Sequence, residues 1–522
     1  MSLSVPTPAG RRAWSLPALS YGRVSLWFGA CAALCLVLAN LAITALSPWD
    51  ELARLLAGLM APDLLSIELW SIVLTIAFAT LGVSLGAAAG LVMSIAYSRS
   101  RAVRGTAIGL RAVHELFWAL LLMQIFGIGP LAGILAIALP YSGIFAKVFA
   151  EMIEEADRSA ERALPPNTSQ VSAFAYARLP DLAARMKTYA LYRLECGMRS
   201  TLVLGFIGLP TIGFHLETYF RQGHYGAAAA LLLVFFALIG TRRIWARAST
   251  LPALIVISIL VLPASTSGSS AVDNLVRFLS VEIVPEPLRR AGIHGIDAKL
   301  LATWDWFVPI LQNQILPGIY NTLILSQIAL VGMAILALAT FPLVARRFAG
   351  LSGHFAGRLV LVAARSTPEY MLAYVLLQTL GPSMLPAIVA LAFHNGAIVA
   401  YLLGRHADQI AYRPDAPTGL DLYAYDTLPR IYGQFLAYCL YRWEIIVRES
   451  AIFGILGVKT LGYYVDAAIS ELRFDRALVL ILATIVLTLA IDGLSRAVRA
   501  CLRISTLPTR LSDGQLATRG AV

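Results

Sequence analysis

The sequence predicts an all-α polytopic membrane protein with about twelve transmembrane helices in two tandem, pseudo-symmetric halves. Of the 522 residues, 58% are hydrophobic and 14% are charged, whereas a soluble globular domain carries about 25% charged residues. The mean hydropathy is +0.74, and apolar runs of about 20 residues, long enough to cross a bilayer, recur along the chain. These observations exclude an ordinary soluble enzyme.

The apolar runs divide the chain into five parts. Residues 1–65 hold an N-terminal tail, a first span and an external interfacial helix, and residues 66–247 form a first unit. Residues 248–316 supply a linking span and an external insert, residues 317–499 form a second unit, and residues 500–522 are a polar tail. The first span is longer than the core of a signal peptide, so we expect it to be retained. We predict spans at 24–46, 67–97, 105–126, 131–150, 186–209, 226–242, 251–264, 318–343, 355–380, 384–404, 431–456 and 477–498.

Positive charge is grouped between the apolar runs. The formal net charge is +11, and clusters such as Arg99, Arg101 and Arg104 follow the ends of spans. Cytoplasmic loops carry this excess of basic residues, so we place both termini and the polar stretches at 147–180 and 405–430 in the cytoplasm. This distribution gives no reason to expect nucleic acid as a partner. The five cysteines form no ligand-spaced cluster, so neither a disulfide framework nor a metal site is expected.

The two units repeat one another. The run from Arg111 to Glu115 matches the run from Arg365 to Glu369, and YRLECGMR at 192–199 matches YRWEIIVR at 441–448. Three glycines recur in each unit, namely Gly205, Gly208 and Gly213 in the first and Gly454, Gly457 and Gly462 in the second. A parallel repeat of this kind predicts that one chain supplies both halves of a pore.

A long charged stretch at 147–180 interrupts the first unit. It carries Glu151 and Glu154, breaks at Pro165-Pro166 and ends at Leu179-Pro180, where a new apolar run begins. A polar segment of this length has to lie outside the bilayer, and we interpret it as a surface on which a soluble partner acts.

These motifs resemble ABC importer permeases of the type I class, and more closely the phosphonate-transporter permease family. The resemblance rests on residues 114–139, the acidic run at 151–157, residues 192–213, and residues 368–381 and 441–462, and it covers roughly 66–247 and 317–499. It implies the permease subunit of a binding-protein-dependent importer that moves an organophosphonate or related phosphorus oxyanion into a bacterial cell across the inner (plasma) membrane.

The resemblance also implies partners. Two ATP-binding cassette ATPase subunits and an extracytoplasmic substrate-binding protein are expected, and the lipid membrane surrounds the chain. No G-x-x-x-x-G-K-[ST] loop is present, so we expect ATP on the partner subunits, no cofactor on this chain and no enzyme activity of its own.

In the same family, a cytoplasmic loop with a Glu-Ala-Ala…Gly…Leu-Pro pattern docks on the ATPase. The resemblance places the first loop on that pattern, with Asn167 where Gly is expected; the matching residues are Glu161, Ala163, Asn167, Leu179 and Pro180. In the second loop, Gly419 lies close to Leu428-Pro429 and no Glu-Ala pair precedes it. We therefore expect the first loop to be the main ATPase contact and the second to be weaker.

Two matched pairs of ionisable residues lie within spans. Glu195 and Arg199 stand at i, i+4 in one unit, and Glu444 and Arg448 occupy the same positions in the other. Ionisable residues within a membrane line a cavity or pair with one another. Either Arg199 and Arg448 face each other across the pseudo-twofold axis and stabilise a passing anion, or each forms an intrahelical salt bridge that fixes packing.

Other polar residues leave similar alternatives. His394 either lines the path or makes an interhelical hydrogen bond, and Gln124 and Gln378 either meet across the halves or serve helix packing. We expect three further charged residues nearer the aqueous ends of their spans, namely Arg193, Arg442 and Glu449.

Four other functions compete with this interpretation. A twelve-span secondary transporter of small anions would carry its long cytoplasmic loop between the sixth and seventh spans, whereas here the link at 242–250 is short. A membrane enzyme would need a cluster of ionisable residues at one face, which the sequence does not present. A scaffold that has lost coupling and a permease for another small solute remain as alternatives.

Overall fold

All regular secondary structure is helical in the part that the computed structural model describes, residues 20–156, 164–165, 167–262, 268–290 and 295–502. The helices of the first part and first unit are α1 Tyr21–Leu38, α2 Pro48–Met60, α3 Leu69–Tyr97, α4 Arg101–Ala112, α5 Glu115–Phe126, α6 Pro130–Glu155, α7 Gln170–Ala173, α8 Leu179–Gly205, α9 Ile212–Arg221, α10 Tyr225–Gly240 and α11 Arg242–Trp245. The linking part holds α12 Leu251–Val261, α13 Gly268–Arg277, α14 Glu286–Arg289 and α15 Ile296–Ile310. The second unit holds α16 Leu316–Thr340, α17 Arg346–Ser366, α18 Glu369–Leu380, α19 Met384–Ala407, α20 Gly419–Asp421, α21 Leu428–Glu449, α22 Leu461–Ser470 and α23 Phe474–Cys501.

Six helices in the described residues are long and apolar enough to cross a membrane, or seven if one bent pair is a single span. Two shorter apolar helices, α10 and α12, accompany them. The six are Tyr21–Leu38, Leu69–Tyr97, Pro130–Glu155, Ile296–Leu343, Met384–Ala407 and Phe474–Cys501. The chain is therefore a multi-pass, all-α membrane protein, as predicted.

Two of the predicted spans are broken. The span predicted at 105–126 consists of α4 and α5, which are bent by 96°. Val113 is extended between them, and the His114 side chain accepts a hydrogen bond from the Leu116 backbone N–H, so α5 begins with its own cap. The span predicted at 355–380 in the second unit is broken between α17 and α18. Thr367 is extended there, because a residue that precedes proline favours an extended conformation.

The sequence repeat corresponds to a repeat of structure. In the first unit α3 packs along α6, and in the second α16 packs along α19. The Thr75 hydroxyl accepts from the Ile212 backbone N–H at 3.0 Å, and Thr322 accepts from the Leu461 N–H at 3.1 Å. These equivalent contacts fix the short helices α9 and α22 against the first long helix of their own unit.

The matched glycines lie where two backbones touch. A Cβ atom on Gly205 would stand 2.2 Å from the backbone nitrogen of Phe214, and a Cβ on Gly454 would stand 2.1 Å from that of Tyr463. Both contacts close a tight helical hairpin, which explains why glycine recurs at these positions.

The helices that precede each unit pack on the opposite unit. Helix α1 contacts α16 and α21, whereas α12 contacts α3. The Phe28 and Trp443 rings meet edge to face at 5.1 Å, and Gln327 donates to the Phe28 carbonyl at 3.1 Å. The two units are therefore bound together by exchanged helices.

The predicted interfacial helix and external insert are both helical. Helix α2 packs on α10 of the first unit and α18 of the second. In the insert, Phe278 packs on Phe474 with ring centres 5.4 Å apart, and Asn274 donates to the Ile125 carbonyl at 3.3 Å. The insert thus covers the ends of α5 and α23.

Candidate functional site

A polar cavity of about 190 Å³ lies between the two units. Helices α5 and α8 of the first unit and α18 and α21 of the second provide most of its wall. Its charged lining residues are Glu115, Arg193, Arg199, Glu369, Arg442, Arg448 and Glu449. Because equivalent helices contribute from both sides, the cavity lies on the pseudo-twofold axis.

The predicted pathway arginines each reach into the opposite unit. Arg199 Nη1 donates to the carbonyl of Arg365 at 3.4 Å, and Arg448 Nη1 donates to the carbonyl of Arg111 at 3.0 Å. Arg111 and Arg365 are equivalent positions of the repeat. The two contacts are therefore a symmetric pair that joins the units at the cavity.

Glu195 and Glu444 form salt bridges with residues of other helices, and not with the arginine one turn away on their own helix. Glu195 pairs with Arg242 at 3.3 Å and with Arg365 of the opposite unit at 3.9 Å. Glu444 pairs with Arg111 of the opposite unit at 4.0 Å. Within the described residues, Arg199 and Arg448 consequently have no ion-pair partner.

His394 connects the two units through Arg199. Its Nδ1 lies 2.8 Å from the Thr367 carbonyl, and its Nε2 lies 3.3 Å from Arg199 Nη1. Since a carbonyl only accepts, Nδ1 carries the proton and Nε2 accepts from the guanidinium. The ring is 1% exposed, so His394 makes the interhelical hydrogen bond that was one of its two predicted roles.

In the cavity wall of the first unit, hydroxyl groups surround the carboxylate of Glu115. The Ser200 hydroxyl donates to Glu115 Oε1 at 2.8 Å, and the Tyr141 hydroxyl lies 3.3 Å from Ser200 Oγ.

The wall of the second unit is more highly charged. Asn395, equivalent to Tyr141, donates through Nδ2 to Glu449 Oε2 at 3.1 Å and accepts through Oδ1 from Arg442 at 3.2 Å. The amide thus separates an arginine from a glutamate and satisfies both, and the symmetric backbone presents chemically different walls.

Three cavity residues were expected nearer the aqueous ends of their spans. The structure places Arg193, Arg442 and Glu449 in the wall instead. The sequence contains a signal for the position of Arg193 in the cavity wall. Arg193, Cys196 and Ser200 stand at i, i+3 and i+7, so they share one face of the helix.

The two predicted glutamines lie elsewhere. Gln124 lines a separate surface pocket together with Glu282 and Arg289 of the insert. Gln378 is exposed and donates to the Tyr374 hydroxyl at 3.2 Å. Neither is among the residues that line the central cavity.

The acidic residues at the end of α6 are partly engaged. Glu151 pairs with Lys147 at 3.8 Å, and Glu154 accepts a hydrogen bond from the Ser98 hydroxyl. Asn167 is exposed. Glu161 and Ala163 lie outside the described residues.

Both predicted coupling loops end in the same local structure. A short helix leads into a π-helical turn, Phe174–Arg178 in the first unit and Leu422–Thr427 in the second. Helices α8 and α21 continue directly from these turns at Leu179 and Leu428, with Pro180 and Pro429 as their second residues. The second loop, which departs further from the family pattern, keeps this geometry.

Aromatic packing holds the second loop against its own unit. The Tyr423 ring stacks on Phe341 with centres 5.4 Å apart, and its hydroxyl donates to the Leu338 carbonyl at 3.1 Å. Gly419 begins this segment with φ of +67°, a conformation that favours glycine.

Within the described residues, no group of three or more His, Cys, Asp or Glu side chains is placed to hold a metal ion.

Two curated proteins are similar to this chain over most of their own length. A phosphate-import permease protein, PhnE of Mycolicibacterium smegmatis, is 26% identical over 456 residues, which are 82% of this chain and 84% of that protein. A phosphite transport system permease protein, PtxC of Stutzerimonas stutzeri, is 30% identical over 230 residues, which are 42% of this chain and 84% of that protein. No family model matches the chain, and no solved structure matches it.

Proposed function

This chain belongs to the permease family of phosphate, phosphite and phosphonate import systems, and we propose that it carries phosphonate or a related phosphorus oxyanion inward through its central cavity. The observation that carries this proposal is the symmetric pair Arg199 and Arg448, two guanidinium groups at the cavity without carboxylate partners in the described residues. Guanidinium binds a phosphorus oxyanion through two parallel hydrogen bonds.

The contacts of these arginines suggest how the path opens. In the structure each guanidinium donates to a carbonyl of the opposite unit, so each contact crosses the interface. Separation of the units breaks both contacts and frees the donors, and an oxyanion then replaces the carbonyls. A unit charge about 4 Å from a guanidinium gains roughly 4 kcal/mol at an effective dielectric constant near 20, before desolvation is counted.

Two ATPase subunits dock on the loops at 147–185 and 405–430, and an extracytoplasmic binding protein delivers the anion. ATP is bound by those partners, and its binding and hydrolysis move one unit against the other. The matched helix, π-helical turn and Leu-Pro helix start in both loops support docking by both units. Glu151 and Asn167 belong to the first docking surface.

The same proposal includes the topology. About twelve spans in two fused permease units, at 66–247 and 317–499, cross a bacterial inner membrane with both termini in the cytoplasm. In support, most of the phosphite permease matches less than half of this chain, as expected if one chain contains two such units.

The test is uptake by proteoliposomes that contain this chain with its ATPase and binding protein. We compare the double variant Arg199→Gln/Arg448→Gln with the control Arg54→Gln, which replaces an arginine that is 66% exposed. Loss of each charge-assisted contact lowers uptake of phosphonate, phosphite and phosphate by about tenfold or more, whereas the control transports normally. Unchanged uptake of all three anions by the double variant refutes the pathway.

The same vesicles separate an ATP-driven importer from a secondary transporter. Uptake that requires ATP supports the proposal, and uptake driven by an ion gradient without ATP contradicts it.

A further inference from the structure

A second concave site lies where the two units meet at the arginine-rich ends of their helices. Its volume is about 760 Å³. Arg243 of α11 contributes from the first unit, and helices α17 and α19 contribute from the second. Its basic lining residues are Arg243, Arg346, Arg347, His354, Arg358 and Arg405. By the distribution of positive charge, this end of the molecule faces the cytoplasm.

The charge of this site is not balanced by its own residues. Asp408 is the one carboxylate among the lining residues, and its Oδ1 already accepts from the Arg346 backbone N–H at 2.8 Å. None of the five arginines makes an ion pair with another described residue, and all five are exposed. His354 Nδ1 is bonded to the Val344 carbonyl, which leaves Nε2 as the remaining polar atom of the ring.

Most of the basic residues that the second unit contributes to this site have no basic counterpart in the first unit; Arg358, which corresponds to Arg104, is the exception. Element α17 begins at Arg346 and is kinked at Gly350, whereas its counterpart α4 begins only at Arg101, and the segment of α17 before the kink carries Arg346 and Arg347. In the repeat, Arg405 corresponds to Glu151, which pairs with Lys147. The basic site is therefore more than the general excess of positive charge at cytoplasmic ends.

We propose that this concave site binds a phosphate group. Guanidinium forks match the oxygens of a phosphate ester or of free phosphate, and several of them around one concave site can hold a dianion. Apolar side chains border the basic ones on the outer surface: Ile244, Phe355 and Leu359 are 65%, 71% and 63% exposed. This border suits a phospholipid whose headgroup enters the site while its chains lie along α17, and free phosphate presents the same group without the chains.

Occupancy would have a structural consequence. The phosphate would be held by Arg243 of the first unit and by Arg346 and Arg405 of the second. It would join the two units at their cytoplasmic ends, away from the central cavity. This binding site does not depend on which solute the central cavity carries.

The test uses the purified full-length chain in nanodiscs. The variant Arg346→Gln/Arg405→Gln removes two of the five guanidinium groups. The control Arg99→Gln/Arg101→Gln removes two exposed arginines at the turn between α3 and α4 of the first unit. Native mass spectrometry counts retained phosphatidylglycerol, and calorimetric titration with inorganic phosphate in phosphatidylcholine nanodiscs measures binding of the free anion.

Either of two results supports the site and identifies the source of the phosphate. Phosphatidylglycerol retained by the wild type and control but lost at least about tenfold in the variant identifies a lipid headgroup. Phosphate binding weakened by the same factor in the variant alone identifies the free anion.

Equal lipid retention and equal phosphate binding by all three proteins overturn the proposal. If the double variant is not monodisperse, the single variants Arg346→Gln and Arg405→Gln replace it. If both single variants bind lipid and phosphate as well as the unaltered chain does, the proposal is likewise overturned.

Discussion

The tight hairpin of the second unit makes a sharp prediction for Gly462→Ala. A Cβ atom at this position would stand 1.7 Å from the carbonyl oxygen of Ala451 and 2.6 Å from its carbonyl carbon. Both are backbone atoms, which cannot rotate away as a flexible side chain can. Helix α22 therefore has to move by more than about 1 Å before the substitution is tolerated.

The movement of α22 lowers the free energy of unfolding in two ways, through overpacking and through a lost hydrogen bond. Relief of overpacking in a dense interior typically costs about 1–3 kcal/mol. The same movement pulls the Leu461 N–H from the Thr322 hydroxyl, and a buried donor left without a partner costs about 1–3 kcal/mol more. We expect a total destabilisation of about 2–6 kcal/mol, or a melting temperature lower by about 2–6 °C for a chain of 522 residues.

The assay is thermal unfolding of the purified chain in detergent. Gly493→Ala is the control, because this glycine lies in α23 and a Cβ there would meet no atom within 4 Å. Alanine at an open helical position stabilises by about 0.5–1 kcal/mol. A melting temperature for Gly462→Ala equal to that of Gly493→Ala would refute the close approach of α22 to Ala451.

Two further predictions concern coupling and the cavity wall. Deletion of residues 165–172 abolishes the stimulation of ATP hydrolysis by substrate-loaded binding protein while the complex still assembles, and unaltered stimulation would show that this loop does not transmit the movement. Asn395→Leu leaves Arg442 and Glu449 without their shared partner, so we expect a loss of about 2 kcal/mol or more in stability; a thermal shift no larger than that of Gly493→Ala contradicts the bridging role.

Much of the fold could be predicted from local sequence signals. Apolar runs of the length of a bilayer gave the long helices, and Leu-Pro pairs marked the starts of α8 and α21. The repeat of Arg111 at Arg365 predicted equivalent helices, and these positions accept equivalent contacts from Arg448 and Arg199.

The breaks within two apolar runs were missed. Only two residues, Val113 and His114, separate α4 from α5, and overall composition does not distinguish a straight span from one that turns by 96°. The local signal was His114 before Glu115, a side chain that caps the second helix. Because of such breaks, fewer helices in the described residues are long enough to cross a bilayer than the number of apolar runs predicts.

The sequence by itself determined the class of protein, the tandem repeat and the identity of the ionisable residues within the membrane, because hydrophobic length, charge distribution and spacing are local properties. The tertiary structure decided which of these residues meet. Glu195 and Arg199 have the spacing of a salt bridge on one helix, yet Glu195 pairs with Arg242 and Arg365 while Arg199 reaches a carbonyl of the other unit. A helix face can be read from spacing, but the partner opposite that face depends on how the two units pack, which no local pattern encodes.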